Sequence, residues 1–236
     1  NDGILLDAKR GHTAQEVVEA VARLKQRGMT VGVQLLPGLK GETWETILET
    51  AVAIVKLKPD FIRIYPVLVI ENTELADQYR AGEYEPLSTE QAITYCAFLK
   101  DWFEGHNIEV IRIGLQSTEE LDSGNSLVAG PYEPAMGERV VNEQYKQRIE
   151  RCINEHIESF IDKELSQWNI WGQVHTYIAL NISIYYPRSL TSKVRGLKNR
   201  NMLYFQEKYP HININWYEDS TRNTVRCCID GLQYVL

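Results

Sequence analysis

The chain has 236 residues, long enough to bury a real core in one domain or two. Hydrophobic residues make up 44% and charged residues 24%, and no apolar run approaches the ~20 residues of a membrane-spanning helix. A formal net charge of −7 gives no global attraction to nucleic acid or to an anionic membrane, and four cysteines without metal-knuckle spacing fit reduced thiols of a cytoplasmic protein.

The opening, NDGILLDAKRGH, reads as loop, as in a proteolytic fragment, a truncated chain or a partly disordered protein. The spacing then predicts an amphipathic helix over 13–28. Thr13 and Glu16 form a capping box, Val17, Val18, Val21 and Leu24 make one stripe, and Gly28 ends it. A strand over 30–36 leads into Pro37-Gly38-Leu39-Lys40-Gly41. A second helix, about 43–57, turns Ile47, Ala51, Ile54 and Val55 inward and stops at Pro59; a strand over 61–69 follows. Ser88 and Gln91 open a third helix that ends at Gly105, and a third strand covers 108–114. Helices alternating with near-continuous apolar strands mean βαβ units and a parallel sheet covered on at least one face. Three strands are too few for an isolated barrel and read as part of a larger α/β layer. The first strand's open edge is sticky, and self-association through it is expected.

Residues 112–139, RIGLQSTEELDSGNSLVAGPYEPAMGER, carry four glycines and two prolines, the punctuation of a long loop with a task. Apolar residues from Val141 through Tyr145, Ile149, Cys152, Ile153, Ile157, Phe160 and Ile161 then recur at helical spacing. From Gly172 the period becomes two: Val174, Thr176, Ile178, Leu180, Ile182 and Ile184 predict a half-buried antiparallel strand. A helix near 199–209 and strands through Ile212, Ile214, Trp216 and Val225, Cys227, Ile229 finish the chain, with a polar turn over 219–223. The expected organisation is α/β: residues 1–137, a linking helix over 138–171, and a small α+β domain over 172–236. Tyr145, Trp168, Trp171, Tyr177, Tyr185 and Tyr186 read as packing residues rather than a ligand box. His106, His156, His175 and His211 have no metal-ligand spacing.

In parallel α/β layers ligands sit at the carboxyl ends of the strands. Those ends present Gln34 with Pro37-Gly38, then Tyr65-Pro66-Val67, then Arg112, Gly114 and Gln116. Gly38 and Gly41 flank a helix start, where N–H groups are free to meet an anion, although any βα turn uses glycine. Arg10 and His12 lie in the opening loop. Near the other end, Arg188, Lys193, Arg195, Lys198, Arg200 and Lys208 face Glu207 alone within residues 188–210. Val194-Arg195-Gly196-Leu197-Lys198-Asn199 is loosely similar to the GxxG loop with which a KH module grips a nucleic-acid backbone, Asn199 replacing the second glycine. A packing domain with a solvated basic helix is the alternative.

Taken in order, residues 9–13 (KRGHT), 31–43 (VGVQLLPGLKGET), 61–75 (FIRIYPVLVIENTEL) and the 112–139 run resemble the second half of a radical S-adenosylmethionine (SAM) core. The likeness is to proteins similar to oxygen-independent coproporphyrinogen oxidase and to the Elongator catalytic subunit, those with a distinctive C-terminal extension. It covers roughly residues 5–140. The resemblance implies a partial (β/α) barrel that binds SAM against a [4Fe-4S] cluster. It implies Arg10 and Gln34 as SAM contacts, Gly38 near the adenine and backbone contacts around Tyr65 and Val67; Arg112 and Gln116 are the candidates for substrate or SAM. Relatives often carry proline at Lys40, glutamine at Glu42 and histidine at Glu133. No Cys-x3-Cys-x2-Cys occurs, and the glycine-rich strand that holds the SAM amino acid moiety is missing. The implied function is therefore the C-terminal portion of an oxidoreductase that cleaves SAM to a 5′-deoxyadenosyl radical, inactive without its cluster-binding half. The alternative is a binding module for tRNA or a partner, using Arg195, Lys198 and Arg200.

Overall fold

A computed structural model describes residues 1–116, 119–122, 124, 126–167 and 180–236, which divide into two compact units, Asn1–Val140 and Val141–Leu236. In the first unit the opening is a short helix, α1 (Asp2–Asp7), where loop was expected. The Asn1 side chain accepts from two of its orphan N–H groups, a capping role that a scan for apolar periodicity does not weigh. α2 (Ala14–Gln26) starts on the Thr13/Glu16 capping box, α3 (Trp44–Leu57) on Thr43/Thr46 and α5 (Thr89–Gly105) on Ser88/Gln91. Between α3 and α5, α4 (Glu74–Arg80) is capped by Thr73.

The strands β1 (Gly32–Leu35), β2 (Phe61–Ile64) and β4 (Glu109–Ile113) form a parallel sheet in the order β1-β2-β4. Leu35, Ile62, Ile64 and Val110 turn to one face, where Ile47, Ala51 and Ile54 of α3 and Ile93, Ala97, Leu99 and Phe103 of α5 cover them. This core is the rigid floor under the strand ends. The predicted strand over 61–69 ends early, because Pro66 has no N–H to give a ladder. Beyond it, β3 (Val69–Ile70) pairs antiparallel with β5 (Leu127–Ala129). The glycine-rich 112–139 run is thus not continuous loop: it holds β5 and a short helix, α6 (Glu119–Asp122).

α7 (Met136–Gln167) contains the division between the units. Residues 168–171 of the expected linking helix, with Trp168 and Trp171, lie outside the described residues, as do Val174, His175, Thr176, Tyr177 and Ile178 and the side chains of Phe160 and Ile161. In the second unit, β6 (Asn181–Tyr186) precedes α8 (Thr191–Arg195) and α9 (Arg200–Lys208); β7 (Asn213–Glu218), β8 (Arg226–Ile229) and β9 (Leu232–Val235) follow. The sheet order is β7-β6-β8-β9. The expectation of an antiparallel strand is half corrected: β6 pairs antiparallel with β8 but parallel with β7, since α8 and α9 form the crossover between them. Ile149 and Ile153 of α7, Phe205 of α9 and the inward residues Ile182, Ile184, Tyr186, Cys227 and Ile229 make its core. No described helix is long and apolar enough to cross a membrane.

Candidate functional site

The carboxyl ends of β1 and β2 open into a cleft of about 380 Å³. Arg10, Gln34, Tyr65 and Val67 all line it. Each arrives for its own reason. Gln34 sits one residue before the end of β1, on the face away from the helices. Tyr65 and Val67 follow β2 and are tied to the β1 exit, where the Tyr65 N–H donates to Leu35 O at 2.8 Å and the Val67 N–H to Pro37 O at 2.9 Å. Arg10 follows α1, and its own N–H donates to Leu5 O at 2.9 Å. Lys9 crosses to α4 and pairs with Glu74 at 2.6 Å, closing one side; that bond and the charge hold the Glu74 carboxyl below its ordinary range.

The glycine turn is not open to an anion in the way its sequence suggested. The Gly38 N–H donates to Glu42 Oε2 at 2.6 Å, and Gly38 O accepts from the Tyr84 hydroxyl at 2.6 Å. Both polar backbone groups of Gly38 are satisfied from within the protein, and the anion at this helix start is Glu42 itself. Burial outweighs those bonds and raises the Glu42 carboxyl above its ordinary value. Burial and the Glu42 charge push the Tyr84 phenol up to about 12. Gly38 keeps a positive φ of 98°, and a Cβ there would meet Leu87 at 3.1 Å, so the turn requires glycine.

Arg112 and Gln116 are exposed and joined to each other, Arg112 Nη1 donating to Gln116 Oε1 at 3.4 Å. Neither lines the cleft, although Leu115 between them does. Arg63, which the sequence reading passed over, is paired in register with Gln34 on one side and Arg112 on the other. A signal was present: both strands read Ile-Arg-Ile, at 62–64 and 111–113. Glu133 is engaged, accepting from Arg139 Nη1 at 3.0 Å, and Arg139 also reaches Glu90.

In the second unit, Gly196, Lys198 and Asn199 all have positive φ, at 74°, 53° and 61°, making a tight loop between α8 and α9. The buried Asn201 side chain fastens it, donating to Val194 O at 3.1 Å and Asn142 O at 2.8 Å. Leu197, Lys198, Asn199 and Arg200 are exposed, whereas Arg195 is used internally: its Nε donates to the hydroxyl of buried Tyr186, and its guanidinium lies 5.4 Å from that ring's centre. Cys96 and Cys227 are buried, which pushes both thiols up to about 12, and burial raises Cys152 as well. Buried protonated thiols do not fit an iron–sulfur cluster, whose ligands are thiolates.

Residues 59–175 match the family described as the Radical_SAM C-terminal domain. The chain is 39% identical over 100 residues to a tRNA uridine(34) acetyltransferase of Methanocaldococcus jannaschii, covering 41% of this chain and 18% of that protein. Against human Elongator complex protein 3 the identity is 27% over 99 residues, covering 41% and 18%. Among solved structures, an archaeal Elp3 of Methanocaldococcus infernus lacking residues 1–46 superposes with a TM-score of 0.52 at 28% identity, over 62% of this chain and 34% of that one. The alignments thus span under a fifth of the length of these two named relatives. The activity in the archaeal relative's name is acetyl transfer, so the oxidoreductase class expected from the sequence is not one the relatives' names carry. What the matched segment, the relatives and the solved neighbour share is one origin: this chain is the C-terminal part of an Elongator-like radical SAM protein.

Proposed function

We propose that the first unit is the SAM-holding part of a partial (β/α) barrel in a radical SAM enzyme, with Arg10, Gln34, Tyr65 and Val67 around the nucleoside–sulfonium ligand. The observation that carries this is their convergence on one cleft at the carboxyl ends of parallel strands. Gln34 offers an amide donor and acceptor, and the Arg10 guanidinium offers a fork for the ligand's carboxylate. The N–H groups of Tyr65 and Val67 are already bonded, so contacts to an adenine amino group fall to carbonyl oxygens here. Gly38 shapes the turn and does not donate to the ligand. SAM, in this family, is the source of the radical chemistry; cleaving it belongs to the intact protein within this proposal. Among the described residues no three ligating side chains come together to hold the cluster. Calorimetric titration of the chain with SAM tests the reading. Saturable binding, weakened about tenfold or more in Gln34→Ala and Arg10→Ala, is expected. Heat signals indifferent to both substitutions would remove the ligand from this cleft.

A second reading concerns the second unit, where the exposed Leu197–Arg200 loop, with positive φ at Lys198 and Asn199, presents Lys198 and Arg200, and relatives are named for tRNA. We infer a contact with the tRNA backbone there. Binding should weaken steeply with salt and again in Lys198→Glu. Arg195 is the wrong residue for this test, because reversing its charge strips the bond from buried Tyr186. No salt-dependent tRNA binding at low ionic strength would end this reading.

A further inference from the structure

The face of the first unit's sheet that turns away from α3 and α5 carries a row of three side chains in register: Gln34 on β1, Arg63 on β2 and Arg112 on β4. All three are exposed. Neighbouring strands lie about 4.8 Å apart, so the two arginines are adjacent like charges, an arrangement that costs a sheet stability. Among the described residues no carboxylate offsets it. Among the described residues neither guanidinium has an ion pair. Arg63 lies 5.9 Å from the centre of the Phe61 ring, and Arg112 donates to the Gln116 amide oxygen. Glu109 is exposed on the same face one row away, opposite Phe61, and pairs with neither arginine.

The arrangement is built rather than incidental. Ile62 pairs with Val110, but the next residue of β2, Arg63, pairs with Arg112, so Ile111 is an extra residue in β4. Strict alternation from Val110, which is core, would put Arg112 on the core side. The bulge returns it to the open face beside Arg63, and bulges next to functional sites commonly re-aim one side chain in this way. Beneath the row, Gly32 leaves room for Phe61 to lie across β1: a Cβ on Gly32 would come within 2.1 Å of the Phe61 ring. That ring is the apolar floor from which Arg63 rises.

We propose that Arg63 and Arg112 form a binding site for a phosphoryl group of the enzyme's substrate. Two guanidinium forks, each with five N–H donors, match the charge and the several oxygens of a phosphate dianion better than one carboxylate does. Gln34 ends the row and also lines the cleft, which places the phosphoryl site next to the proposed SAM site. In placing a substrate there the proposal rests on the SAM reading, but its test uses no SAM.

The chain is titrated with sodium pyrophosphate at low ionic strength, followed through the arginine Nε–H signals by NMR. The Arg63 and Arg112 signals should move together and saturate. Arg63→Gln and Arg112→Gln should each weaken binding tenfold or more, while their thermal midpoints stay level or rise as the like-charge contact is relieved. Arg63→Lys, which keeps the charge and loses the fork, should weaken binding too. Absence of saturation, binding that survives both glutamine variants, or equal affinity for succinate overturns the phosphoryl site. A single-stranded oligoribonucleotide that displaces pyrophosphate identifies a nucleic-acid phosphate as the source; failure to displace it identifies a small phosphorylated molecule. If SAM binds and pyrophosphate does not, only this site is lost; the reverse result loses only the SAM reading.

Discussion

The two units each lay a small sheet against helices and differ in what they do with the other face. In the second unit that face carries a single arginine set among rings and an amide. Tyr185 stacks on Tyr217 with ring centres 5.2 Å apart, and Arg226 Nη1 donates to Gln233 Oε1 at 3.0 Å while its buried Nε has no partner among the described residues. In the first unit, Gln34, Arg63 and Arg112 stand in a row without a carboxylate partner among the described residues. A lone arginine meets no like charge across its sheet. Two arginines side by side repel, and a counter-charge from outside relieves them, which is why the phosphoryl site is proposed on the first sheet and not on the second.

The comparison is most severely tested through the packed side of the first sheet, because the arginine row depends on that platform. Phe103 is fully buried in α5, and Phe103→Ala should lower unfolding stability by about 3–5 kcal/mol in urea titration. A loss below about 1 kcal/mol would mean the sheet is held by something other than this core. Next in size is Gly32→Ala, which drives a methyl group into the Phe61 ring and should cost about 1–3 kcal/mol by the same measurement. Tyr217→Ala removes the stacked pair of the second sheet and should cost about 0.5–1.5 kcal/mol. Here a rise in stability would show that this face, too, is strained without a partner. The smallest effect belongs to Glu42. Its folded-state value is raised, so between an ordinary carboxylate value and that raised one the folded chain holds the extra proton, and stability falls as pH rises through the window. Glu42→Gln keeps an oxygen for the Gly38 N–H, and it should flatten this slope in thermal midpoints recorded from about pH 4 to 7.

Much of the fold was legible because it is local. The capping boxes at Thr13 and Ser88 and the apolar stripe of α3 lie within a few residues of one another, and the structure contains them. The neighbourhood was legible in part: a βα turn must emerge at a strand's carboxyl end, which groups Gln34, Tyr65 and Val67, whereas Arg10 was implied only by the family resemblance; all four line one cleft. The occupancy of that turn was not legible. Whether the Gly38 N–H faces a ligand or Glu42 depends on one rotamer and on Tyr84, far along the chain. Short elements escaped as well, since α1 and α4 are held by the caps Asn1 and Thr73 and are too brief to display a period.

By itself, then, the amino-acid order determined the helices, the apolar strands, the parallel layer they imply and the family likeness of the run from Lys9 to Arg139. Those follow from backbone capping and side-chain period, which act over one or two turns. Only the tertiary structure decided the partners. It set β6 between a parallel and an antiparallel neighbour, turned Arg195 onto Tyr186, and through one extra residue at Ile111 brought Arg112 beside Arg63. Strand register is a long-range choice settled by packing, and a slip of one residue exchanges the two faces of a sheet.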